Sequence, residues 1–296
     1  MTAPYIVANG LGKSFSGKSV LADVSIAVDP GDVVGVLGKN GAGKTTLLEL
    51  LLGFTPATAG TAQLFGYESY RLPGAAKARV GFVPQQDELI NQLTAADQIG
   101  VIASFYPSWD DELVVRLSRE WEVDLRQRIK GMSVGQRQKL SILLGLGHKP
   151  DVLILDEPVA SLDPVARRQF LEQIIEVAAD GKRSVVFSSH IVSDVERLAN
   201  RIWILKDQRM YWQGDFDSLK ESIVRLHLRA TAALPASLAI PNALNVRRNG
   251  TTATAVVQGW REDLHETLAR QLGAEIEVEQ LTLEDIFLEL HREPPR

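Results

Sequence analysis

The segment Gly38-Lys39-Asn40-Gly41-Ala42-Gly43-Lys44-Thr45 sets glycines, an amine and a hydroxyl at the spacing Gly-x-x-x-x-Gly-Lys-Thr. Glycine has no Cβ, so such a loop can take positive φ and turn its N–H groups inward around an anion. A helix beginning near Lys44 would add the positive end of its dipole to the same anion. Lys44 would then bridge the β- and γ-phosphates of a nucleoside triphosphate, and the Thr45 hydroxyl would bind Mg²⁺. The expected cradle runs on through Thr46. A second constellation is Asp156-Glu157, two adjacent carboxylates closing the apolar run Leu153-Ile154-Leu155. At a strand end Asp156 can reach the metal held by Thr45, and Glu157, just beyond, can turn toward an attacking water. Alone, the acidic pair reads equally well as a cap on the next helix; beside a phosphate loop it reads as catalytic.

These residues need a scaffold. Val33 to Leu37 is an unbroken apolar run that stops at Gly38, as a strand buried on both faces should. Val80 to Val83, Val152 to Leu155, Ser184 to Ser188 and Ile202 to Leu205 repeat the pattern. Helical patterns over Thr45 to Leu52, Val165 to Ala178 and Val192 to Ala199 lie among them. Strands alternating with helices predict an α/β fold with a mostly parallel sheet covered on both sides. From residue 91 to 147 the alternation stops; Asp110 to Glu120 and Gln136 to Leu146 read as helices, and the stretch is expected to form a helical subdomain. After Gly214 the composition shifts. Ile223 to Leu228 reads as a strand, Asn249-Gly250 as a hairpin turn, and Arg261 to Leu272 and Thr282 to Leu290 as helices. The expected organisation is a main domain over 1–218 and a small α+β domain over 222–296, with a fraying tail after His291.

Composition narrows the function. The 296 residues are 45% hydrophobic and 23% charged, which suits a folded globular chain. There is no cysteine, so disulfides and thiolate metal sites are excluded. With 32 basic against 37 acidic residues the net charge is −5, which argues against a nucleic-acid partner. No apolar run approaches the roughly 18–20 residues that span a bilayer. Met1 to Gly10 lacks a basic segment followed by an apolar one, which predicts no secretory leader.

Taken in order, the motifs resemble those of the ATP-binding cassette (ABC) ATPases, over about residues 5–215. Met132-Ser133-Val134-Gly135-Gln136 is similar to the family's Leu-Ser-Gly-Gly-Gln signature. Gln85 resembles the Q-loop glutamine, with Gln86 beside it as the alternative. Asp163 in Ser161-Leu162-Asp163 resembles the D-loop aspartate, and His190 in Ser188-Ser189-His190 the switch histidine. Phe15 lies where the family places an aromatic that stacks on adenine, with Tyr5 a weaker competitor. The resemblance implies a P-loop NTPase cassette that uses ATP and Mg²⁺. Thr45, Asp156 and Gln85 would hold the metal, Glu157 would act as base, and His190 and Gln85 would complete the catalytic group. Ser133, Gly135 and Gln136 would reach the γ-phosphate of a second copy. Val134 and Met132 depart from the signature, and the β-branched Val134 is expected to restrict the backbone there.

The same resemblance implies an ATP-driven homodimer working on separately encoded membrane permease subunits, at the cytoplasmic face of the inner membrane. Residues from Ile99 to Trp109 and the Gln85 loop are the expected docking surface, against the plainer reading that Phe105, Tyr106 and Trp109 are core. Leu281 to Phe287 resembles the C-terminal end of cassettes serving ABC-2-type exporters. Phe105 to Asp110 looks like a segment of the exporter branch linked to antibiotic and lantibiotic resistance operons. Together they imply export of a drug, peptide or lipid. The rival is a soluble ABC ATPase that regulates or remodels nucleic acid or ribosomes. The single motif set, the acidic balance and the lack of sustained heptads disfavour it. A GTPase is disfavoured by the absence of an Asn-Lys-x-Asp motif.

Overall fold

Apolar runs with no polar interruption can only be buried on both faces, and here they form the inner strands of a layered sheet. The computed structural model describes residues 3–235 and 238–292 and divides into two units, 1–213 and 214–296. The end of the tail after His291, residues 293–296, lies outside the described residues.

In the first unit a hairpin of β1 (Ile6–Phe15) and β2 (Lys18–Val28) precedes β3 (Val33–Leu37) and α1 (Lys44–Leu52). Next come β4 (Ala59–Leu64), β5 (Tyr67–Glu68), the single turn α2 (Gly74–Lys77) and β6 (Val80–Val83). Three helices follow: α3 (Ala95–Ala103), α4 (Asp111–Glu120) and α5 (Val134–Leu146). The chain then returns through β7 (Val152–Leu155), α6 (Pro164–Ala178), β8 (Ser184–Ser188), α7 (Val192–Leu198), β9 (Arg201–Lys206) and β10 (Arg209–Asp215). The larger sheet has the order β10-β9-β3-β8-β7-β6, and β3 runs parallel to both of its neighbours. Every residue of β3, β7 and β8 is buried. All these parallel strands therefore present their C-terminal ends along one rim, where ligands bind in open α/β sheets.

A second sheet, β2-β1-β4-β5, is antiparallel. Ile6, Leu11, Leu21 and Leu64 from it share one core with Leu47, Leu48 and Leu51 of α1 and with Val34, Val36 and Ile154 of the parallel sheet. The helix behind the phosphate loop is thus held between two sheets. Burying its leucines contributes about 1.5–3 kcal/mol each.

The second unit contains α8 (Phe216–Ser222), β11 (Ile223–Ala230), β12 (Ala243–Asn249), β13 (Thr252–Gln258), α9 (Leu264–Leu272), β14 (Ala274–Gln280) and α10 (Leu283–Leu290). Its antiparallel sheet has the order β12-β13-β11-β14. Alternate residues Leu226, Leu228, Ala255, Val257 and Ile276 meet Leu268 of α9 in a separate core.

Candidate functional site

The loop between β3 and α1 is shaped by glycine. Gly41 and Gly43 have φ of 80° and 100°. A Cβ on Gly43 would lie 2.8 Å from the Val20 carbonyl oxygen, so no larger residue fits against β2. Lys44 is buried, and its Nζ donates to the Gly38 carbonyl oxygen at 2.9 Å. Val20, Asn40, Gly41, Gly43, Lys44, Thr45, Thr46, Gln85 and Glu157 line a cavity of about 270 Å³. Gln85 reaches this cavity, and Gln86 is not among its lining residues.

The carboxylate pair converges on the same point. The Thr45 hydroxyl donates to Asp156 Oδ2 at 2.6 Å, and the Ser188 hydroxyl donates to Asp156 Oδ1 at 2.5 Å. Past the end of β7, the Asp156 N–H donates to the Val83 carbonyl at 2.9 Å and the Glu157 N–H to Ser188 Oγ at 2.8 Å. The first bond continues the sheet's ladder, the second trades it for a side-chain acceptor, and together they fix where both side chains start. Glu157 has a φ of 48°, an uncommon conformation for a residue with a Cβ. The turn aims its buried carboxylate back over the loop: Oε1 lies 3.5 Å from Lys44 Nζ, and Oε2 lies 2.6 Å from His190 Nδ1. The His190 N–H also donates to Oε2, at 3.2 Å. Loop, carboxylates and His190 therefore form one connected group.

Other predicted residues lie elsewhere. Ser133 caps α5 in a reciprocal box with Gln136: its hydroxyl accepts from the Gln136 N–H at 3.2 Å, and its N–H donates to Gln136 Oε1 at 2.9 Å. Gly135 approaches the Ser161 carbonyl so closely that a Cβ would sit 3.2 Å from it. None of Ser133, Gly135 and Gln136 lines the phosphate cavity. Val134, expected to restrict the backbone of the signature, is the first helical residue of α5, has no positive φ, and points outward at 65% exposure. Asp163 is the N-cap of α6, and the N–H groups of Ala166 and Val165 hold its carboxyl below the usual range. Phe15 ends β1 and is 49% exposed, whereas Tyr5 packs edge-on against Phe65 beside the core.

Sequence reasoning missed three contributors. Val20 lines the cavity, and Ser188 links the Asp156 carboxylate to the Glu157 backbone N–H. Arg137, directly after the signature, forks onto Asp87 in the Gln85 loop, with Nε 2.9 Å from Oδ2, and also reaches Asn91 at 2.6 Å. The pairing holds the Asp87 carboxyl below its ordinary range. Its signal was present in the sequence, a basic residue at the start of a helix and an acid in a distant loop, but only the fold joins them. The aromatic segment divides. Tyr106 stacks on His148 with ring centroids 3.9 Å apart, and Trp109 lies nearly parallel to the same imidazole at 6.4 Å, while Phe105 is 76% exposed.

A glycine-rich loop at the rim of a parallel sheet, with a lysine, a hydroxyl and two carboxylates converging on it, defines a P-loop nucleotide-binding protein. The ABC transporter family model matches residues 21–160. The Nod factor export ATP-binding protein I of Burkholderia thailandensis is 31% identical over 288 residues, covering 94% of each chain. The ABC transporter ATP-binding protein YtrB of Bacillus subtilis is 27% identical over 94% of this chain and 95% of its own. Among solved structures, the ATP-binding subunit of an ABC transporter superposes with a TM-score of 0.68 at 27% identity, covering 73% of this chain and 92% of that one. The chain belongs to the ABC transporter ATP-binding proteins: it is an ATP-binding subunit and a cassette ATPase. Among the described residues no helix is long and apolar enough to cross a membrane.

Proposed function

We propose that this chain hydrolyses ATP to drive export through separate membrane permease subunits, acting as a head-to-tail homodimer. The observation that carries the reading is that Lys44, Thr45 and Glu157 line one cavity, with Asp156 hydrogen-bonded to Thr45 and His190 to Glu157, while Ser133 and Gly135 neither line it nor join that network. A site able to hold a triphosphate but lacking the signature on one face calls for a second copy to supply it. Residues 1–218 act as the ATPase domain, with 91–147 as its helical subdomain, and residues 222–296 as an accessory domain.

Mg²⁺ fits the donors present. Thr45 and Asp156 already bring two oxygens together at 2.6 Å, and Gln85 faces the same cavity. Among the described residues no cluster of three or more carboxylates and histidines could cage a metal alone, which suits an ion that completes its shell with phosphates and water. When bound, the ion supplies neutralisation of phosphate charge. The chain's own residues do the rest. Lys44 and the loop amides hold the β- and γ-phosphates. Glu157 accepts a proton as a water oxygen attacks the γ-phosphorus and the bond to the bridging oxygen breaks, releasing ADP. His190, with Nδ1 engaged by Glu157, has Nε2 left to contact the γ-phosphate. Ser133, Gly135, Gln136 and Asp163 of the second copy close the site, and Phe15 stacks on adenine.

A γ-phosphate held from two sides gives the closed dimer a higher affinity for ATP than for ADP, which any nucleotide-driven switch requires. Relatives named for export that match nearly the whole chain support the direction of transport. The exposed Phe105 and Val101 and the Gln85 loop offer apolar and polar surface for a permease. That partnership would place the chain at the cytoplasmic face of the membrane. Mild membrane extraction of a tagged chain should bring down integral permease subunits, and Glu157→Gln should form an ATP-dependent dimer by light scattering. A strictly monomeric chain with no membrane partner would sink the reading.

A further inference from the structure

We infer that Lys13 is a positioning residue for base recognition, acting through the ring of Phe15; this rests on the reading of Phe15 as the adenine platform. Lys13 stands two residues before Phe15 on β1. Unlike most lysines it is buried, at 8% exposure. Its ammonium donates to Thr55 Oγ1 at 2.8 Å and to the Pro56 carbonyl at 2.7 Å. The same nitrogen lies 4.8 Å from the centroid of the Phe15 ring.

This geometry has a direction. The loop after α1 fixes the cation from one side, and the ring rests against it while half its surface stays open to solvent. Phe15 pairs with Lys18 at the hairpin tip, and Val20 on the adjoining strand already lines the phosphate cavity. A phenyl ring at an exposed hairpin tip would otherwise sample several rotamers, and each would have to be given up on binding. A cation held over one face pins the ring by electrostatic attraction and draws π-density toward itself. The opposite face is then fixed and better matched to an electron-rich purine. Lys13 thus carries selectivity for the base without touching the nucleotide.

The test separates base from phosphate. ATP and inorganic tripolyphosphate, each with Mg²⁺, are titrated into the full chain and into the variants F15A, K13M and K13R. Loss of a partly desolvated cation–π contact should weaken ATP binding by roughly three- to tenfold in K13M. Tripolyphosphate affinity should be unchanged, and K13R should restore ATP binding. If K13M fails to fold, K13Q, which retains donors for Thr55 and Pro56 without the charge, should give the same loss. Weakened ATP binding in F15A with none in K13M or K13Q would overturn the role of Lys13 and leave Phe15 standing. Equal loss of tripolyphosphate in K13M would also overturn it, reducing Lys13 to a brace for the loop. Unchanged ATP binding in F15A would overturn the platform reading itself.

Discussion

Replacing Glu157 by Gln tests the centre of the site, because the change keeps shape while removing charge and basicity. Glutamine tolerates the φ of 48° no worse than glutamate, so the turn should persist. A positioned general base contributes about 10²–10⁴-fold to a rate, so kcat should fall by that factor, equivalent to ~2.7–5.4 kcal/mol on the barrier. Binding should move the other way. At 3.5 Å and an effective dielectric of ~20 the attraction between Glu157 and Lys44 is about 5 kcal/mol, a gross figure that phosphate must compete with. The amide relinquishes most of it and removes a negative charge beside the triphosphate. E157Q should therefore hold ATP at least as tightly as the parent chain and dimerise more readily. Phosphate release under steady-state and single-turnover conditions gives kcat, and calorimetry gives the affinity. A turnover within about threefold of the parent would remove Glu157 from the base role. A parallel loss of rate and affinity would show that the carboxylate serves to brace Lys44 and His190.

Asp156→Asn removes the charge and turns one of the two oxygens that accept from Thr45 and Ser188 into a donor, so the gain in ATP affinity that Mg²⁺ provides should shrink by about tenfold while binding in EDTA changes little; titrations with and without metal check this. Gly147→Ala would drive a Cβ to 2.3 Å from the Trp109 ring, so urea denaturation should report a loss of about 1–3 kcal/mol and Trp109 fluorescence should shift red. An unchanged midpoint would show that the aromatic segment yields freely. His148 is buried under Tyr106 with Nδ1 unpartnered, and burial pushes its pKa below the usual histidine value. Its folded state resists protonation, so the stability it shares in is complete above about pH 6.5 and is lost as pH falls below that value, by at most ~1.4 kcal/mol per pH unit. His148→Phe should keep the stack and flatten the stability profile between pH 5 and 6.5 relative to the parent; an unaltered slope would assign the titration to other groups.

Much of the scaffold was legible because burial on both faces leaves a plain mark. β3, β6, β7 and β8 are the apolar runs read from the sequence, and the ends of α6 and α7 fall within a residue of the expected positions. β1, β2 and β4 went unread for a physical reason. Glycines at positions 10, 12 and 17 and register shifts after Ala8, Leu11 and Lys13 break the alternation that reveals a half-buried strand, and the buried Lys13 sits where a pattern search expects solvent. β10 escaped for another: its residues are mostly half-exposed, so neither pattern is clean.

Site residues follow the same logic of separation. Where one element delivers the chemistry, as with Lys44 and Thr45 at the start of α1, spacing along the chain suffices. Asp156, Ser188 and His190 come from neighbouring parallel strands, and adjacency in the sheet turns residues about 30 positions apart into hydrogen-bond partners. Arg137 and Asp87 lie on segments joined by no ladder, and their fork forms only when α5 folds back over the Gln85 loop. That pair links the signature helix, which lies away from the phosphate cavity, to the loop whose Gln85 lines it. Asp87 stands two residues from Gln85, so the Arg137 fork ties the start of α5 to the segment that lines the cavity, a tie that neither segment announces in its own sequence.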